Sequence, residues 1–139
     1  MSYTEMLAEV VRGLGAGSIT IPMQMVHFEI LLPELKVCHP ATLNLRLENP
    51  LRIDNPDIVA EYDWSGAGPE RFSFLRIGLE FPVGGVAHRA WIYIPHDSPH
   101  FGNRFQIEVL AARIEGISYG ARCRVLIPRA RVVSGIVVV

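Results

Sequence analysis

Lysine is nearly missing from this 139-residue chain: Lys36 stands alone among 13 basic residues, the rest being arginine. Cysteine is scarce as well, with only Cys38 and Cys123. Two cysteines make neither a zinc site nor a disulfide framework, so reduced thiols in a cytosolic compartment are expected. Charged residues make up only 19% of the chain and the net charge is −1, which argues against binding nucleic acid by bulk charge. No apolar run approaches the roughly 18 residues of a membrane span, and no basic stretch leads into an apolar core as in a secretory leader. A Walker loop, a Cys-x-x-Cys pair and a Ser–His–Asp order with an elbow glycine are all wanting. The chain reads as no enzyme, with no cofactor and no membrane.

What is present is apolar. Half of the residues are hydrophobic and the mean hydropathy is +0.26, which excludes intrinsic disorder. The length fits one domain with a real core. Charge is unevenly spread: residues 1–100 carry 12 acids against 7 basic residues, whereas residues 101–139 carry 2 acids against 6 arginines. The two segments can pair within the fold, or the basic one can meet an acidic partner. A GC-rich genome explains arginine in place of lysine, and arginine's bidentate fork also suits interfaces.

Two periods divide the chain. Ser2 with Glu5 has capping-box spacing, and Met6, Leu7, Val10, Val11 and Leu14 recur at three and four residues. A short N-terminal helical arm is therefore expected, ended by Gly13, Gly15 and Gly17, so that residues 1–17 form an arm and joint and 18–139 the main domain. Beyond it the period falls to two. Leu43, Leu45 and Leu47 alternate with polar residues, as do Leu75, Ile77, Leu79 and Phe81, and then Phe105, Ile107, Val109 and Ala111. Further strands are expected at Met23–Leu32, Ile58–Trp64, Val86–Ile94, Ala121–Ile127 and Ala130–Val133, separated by Pro-, Gly- and Asn-rich turns. About eight strands with no helix between them predict an all-β fold, an antiparallel two-sheet β-sandwich of jelly-roll type. The immunoglobulin sandwich fits less well, because Trp64 and Trp91 lie between cysteines too far apart.

Few residues could carry chemistry. His96, Asp97 and His100 are the first candidates for a metal, but Pro95 and Pro99 make the segment a loop and the spacing is not that of a cupin, so no metal is expected. His27 reads as a packed or partner-facing histidine, and His88 as a surface one. The acidic run Asp54, Asp57, Glu61 and Asp63 lacks the spacing of a calcium loop and reads as a solvated face. Trp64 or Trp91, if exposed, would indicate a carbohydrate-binding sandwich.

Both chain ends look like assembly elements. The Met6, Val10 and Leu14 stripe is too short to be a stable helix alone. Ile136 and Val138, in a run of four β-branched residues, need a sheet edge, on this chain or a neighbour. Arg122, Arg124, Arg129 and Arg131 recur at period two with no interleaved aromatics, a pattern for a protein partner rather than a single-stranded nucleic acid. A compact, leader-free β-sandwich with a helical arm and an apolar terminal strand resembles the jelly-roll cement (decoration) proteins of tailed-phage capsids. That resemblance implies a structural virion protein on the capsid exterior, bound to the major capsid protein as a homodimer or higher oligomer and clamping neighbouring capsomers. Other readings are a phage tail-tube or related virion subunit and a cupin-like metal-binding jelly roll.

Overall fold

A computed structural model describes residues 3–13, 17–63, 66–96 and 104–139, with backbone alone over 17–23. The fold is all-β. Strands β1 (Tyr3–Val11), β2 (Leu43–Leu47), β5 (Glu70–Glu80), β6 (Ala87–Pro95), β7 (Gln106–Ala111) and β8 (Arg122–Pro128) close an antiparallel six-stranded barrel in the order β1-β2-β7-β6-β5-β8. Between β2 and β5 lie β3 (Leu51–Arg52) and β4 (Ile58–Tyr62); β9 (Arg131–Val133) and β10 (Ile136–Val138) end the chain. The period-two faces turn inward as the alternation requires: Leu45, Leu47, Leu75, Ile77, Leu79, Ile107 and Val109 are buried in one core and Leu43 packs against it. Phe105, expected on the same face, is instead half exposed just before β7 begins.

The N-terminal helical arm is not formed. Residues 3–11 are β1, paired with β2 on one side and β8 on the other. Met6, Ala8 and Val10 point inward while Glu5, Leu7 and Glu9 point outward. Met6 and Val10 are four apart, a spacing that a helical stripe and a strand face share, and Ala8 between them decides for the strand. Leu14 and Gly15 lie outside the described residues.

The strand expected at Met23–Leu32 is also corrected. Residues Gly17–Leu31 form a helix, α1, followed by a 3-10 turn at Pro33–Val37. α1 lacks acidic residues in its first turn and basic ones in its last, so no local signal marks it. Tertiary packing holds it. Met25, Phe28, Leu32 and Leu35 lie against Phe72, Phe74, Trp91, Tyr93 and Leu110 on the outer face of β5, β6 and β7, making a second core. The middle of β5 is thus buried on both faces.

β5 shares one edge between two partners. Its first half pairs with β4 at Ile58↔Phe74 through Tyr62↔Glu70, and its second half with β8 at Gly78↔Leu126 through Glu80↔Arg124. The Arg76 amide falls in the gap, and the Asp57 carboxylate accepts it at 2.7 Å. Arg129 in turn donates to Asp57 at 3.0 Å.

At one end of the barrel β10 lies between β3, to which it is parallel, and β9, to which it is antiparallel. Ser134 and Gly135 join β9 to β10 with φ of 50° and 78°, the two positive values that a tight type I′ hairpin turn demands. The terminal strand therefore finds its sheet edge on its own chain.

Candidate functional site

Of the residues expected to meet a partner, Met6, Val10 and Val138 are buried in this chain's own core, and Ile136 is half-buried. Leu14 lies outside the described residues. The arginines do not share one face, because β8 belongs to the barrel and β9 to the small sheet. Arg124 pairs with Glu80 at 3.2 Å and lies 3.9 Å from Glu5, Arg129 holds Asp57 from a left-handed turn position, and Arg122 and Arg131 are exposed.

Exposed apolar residues lie beside Arg131, at Val132 and Val133 on β9, and on and just beyond α1. Val26 and Ile30 stand four apart on the outward side of α1, 64% and 67% exposed, and Val37 just beyond the helix is 64% exposed. The inward side of the same helix carries Met25 and Phe28. The i, i+4 spacing of Val26 and Ile30 is readable in the sequence once the segment is known to be helical.

Beside this face a polar cluster ties the 3-10 turn to the barrel. Glu34 accepts from the Trp91 indole and from Arg76, both at 2.6 Å. Trp91 is thus buried and hydrogen-bonded, and offers no sugar platform; Trp64 lies outside the described residues. Burial pushes the Glu34 carboxyl up, but the hydrogen bonds from Trp91 and Arg76 and the charges of Arg76 and Arg89 outweigh it, leaving the pKa below the ordinary 4.5. A carboxyl lowered on folding adds stability above its unfolded pKa and loses it as pH falls through the folded value. Glu34→Gln is therefore expected to melt below the parent chain at neutral pH, with the gap closing as the pH falls below the ordinary 4.5 and through the lowered folded value. An equal gap at both ends of a pH series of thermal melts would refute this.

The histidines and cysteines are placed differently from one another. His27 sits on α1, not on a strand, with its ring 4.9 Å from that of Tyr62. His96 follows β6 and its Nε2 lies 2.8 Å from Ser73 Oγ; Asp97 and His100 are outside the described residues. Among the described residues no three metal-ligating side chains gather. Both cysteines are free thiols. Burial, with Glu34 and Glu29 nearby, pushes Cys38 up to about 12, and burial alone pushes Cys123 up to about 11, so neither is poised as a nucleophile.

A cavity of about 370 Å³ opens at the barrel end beside β3. Ser73 and Ile92 line it from the strands, and Arg71, His96 and Arg104 stand around it. The sequence marks Ser73 only as a lone hydroxyl among Phe72, Phe74 and Leu75, and nothing marks Arg71 or Arg104 as its neighbours.

No protein-family model matches this chain, and no curated protein sequence matches it either.

Proposed function

We propose that the chain is a non-catalytic structural subunit that docks on the outside of a protein shell and ties neighbouring shell subunits together. The observation that carries this reading is the outward side of α1. A helix apolar on every side is ordinarily covered on every side. Here the barrel covers one side, while Val26 and Ile30, with Val37 beyond them, face water. A subunit of this kind works by adding buried area across seams, stabilising the assembled state by mass action. In the specific form of the proposal the shell is a tailed-phage capsid, the partner its major capsid protein, and the bound form a homodimer or higher oligomer on the virion exterior. The jelly-roll relationship belongs to the same proposal, since a flattened barrel and a two-sheet sandwich bury period-two faces in the same manner.

The test uses the full chain. Light scattering should give a dimer or larger species, and the protein should co-sediment with shells assembled from a capsid protein encoded beside its own reading frame. Val26→Glu combined with Ile30→Glu should leave the melting temperature nearly unchanged, because both sites are exposed. The same variant should weaken shell binding roughly tenfold or more. A chain that stays monomeric and ignores the shells, or a double variant that binds them equally well, would end this reading.

A further inference from the structure

We propose that the cavity at the barrel mouth binds a small organic anion with an apolar body, such as a medium-chain carboxylate or an alkyl phosphate. The site is separate from the α1 face and does not depend on the assembly reading. Mouths of β-barrels are recurrent ligand sites, and the cavity of about 370 Å³ falls within the range such pockets occupy. Its wall is aliphatic, with Ile92, Ile94 and Ile107 on the barrel side and Ile53 on the β3 side.

The polar groups are collected around the same opening. Backbone pairing brings them there: the His96 amide donates to the Arg71 carbonyl at 3.0 Å, and the Leu51 amide to the Arg104 carbonyl at 2.8 Å. Of the acids at the cavity, Asp54 pairs with Arg52 at 3.1 Å and Glu108 accepts from the Thr42 hydroxyl at 3.4 Å while keeping its charge; Glu61 stands opposite Arg71 in the strand register. Among the described residues Arg71 and Arg104 have no carboxylate partner. Ser73 is buried and holds His96 at the rim through its hydroxyl. Two arginines that form no ion pair among the described residues, beside an aliphatic wall, suit one chemistry: an anionic head on the guanidinium groups and a short apolar chain inside.

Calorimetric titration of the full chain with octanoate, octyl phosphate, octanol and octylamine separates the terms. At least one of the two anions should bind saturably, and the stronger of them identifies the head as carboxylate or phosphate. Octanol and octylamine should bind roughly tenfold or more weakly than that anion. Arg71→Gln with Arg104→Gln should weaken the anion by a similar factor, while Arg113→Gln, remote from the cavity, should not. Both arginines at the mouth are exposed, so the double variant should keep its melting temperature. No saturable binding of either anion, octanol binding as tightly as the stronger anion, or an unchanged affinity in the double arginine variant would each overturn the proposal.

Discussion

Deleting residues 136–139 is expected to unfold the chain rather than to remove a dispensable tail. β10 is the middle strand of the small sheet, and Val137, Val138 and Val139 are all buried. Val137 and Val139 belong to the main core and pack with Leu51. Full burial of one such side chain contributes about 1.5–3 kcal/mol, and three together amount to much of the ~5–15 kcal/mol that holds a typical domain. The deletion also removes the hydrogen bonds that the Val137 amide donates to the Pro50 carbonyl at 2.9 Å and the Val139 amide to the Arg52 carbonyl at 3.0 Å. Circular dichroism and a urea titration measure the outcome. A truncated chain that still melts cooperatively near the parent temperature would make the segment an accessory, available to neighbours as the sequence alone allows.

Phe28→Ala should cost about 3–5 kcal/mol, the range for emptying a buried aromatic site. Phe28 is 1% exposed, and its ring centroid lies 5.2 Å from each of Phe72, Phe74 and Tyr93. No other α1 side chain makes contact with so many rings among the described residues, so this substitution reports directly on whether the helix is a structural part of the barrel wall. Val26→Ala, on the opposite side of the same helix, should change stability by no more than about 0.5 kcal/mol. Chemical denaturation of the two variants side by side gives the comparison. A Phe28→Ala loss below about 1 kcal/mol would mean that α1 is only loosely applied to β5, β6 and β7.

The sequence makes the barrel strands readable because each needs to satisfy only its own alternation. Leu43 to Leu47, Leu75 to Leu79 and Ile107 to Val109 turn inward as their spacing predicts. β1 was ambiguous because Met6 and Val10 satisfy two periods at once, and the cap-like Ser2 and Glu5 favoured the wrong one. α1 left no readable amphipathic pattern because its outward side is as apolar as its inward side, and β-branched Ile19, Ile21, Val26 and Ile30 favour a strand. What could not be read is what depends on distant pairing. The barrel mouth gathers Arg71, Ser73 and His96 with Arg104 through strand register and the docking of β3, and no local spacing encodes that meeting.

β1 has a further consequence for how the chain comes into being. It is synthesised well before β8, yet it is wedged between β2 and β8, and its Ala8 carbonyl meets the Cys123 thiol across 115 positions of sequence. A growing chain emerging from a ribosome can pair β1 with β2 early, but the other edge of β1 stays open until β8 has been made. Until then the inward faces of Met6, Ala8 and Val10 have only part of their core to enter. Contacts this distant slow folding, because loop closure must precede the reward. The nascent chain therefore carries an unfinished, aggregation-exposed sheet edge from the time β1 is made until β8 has followed it.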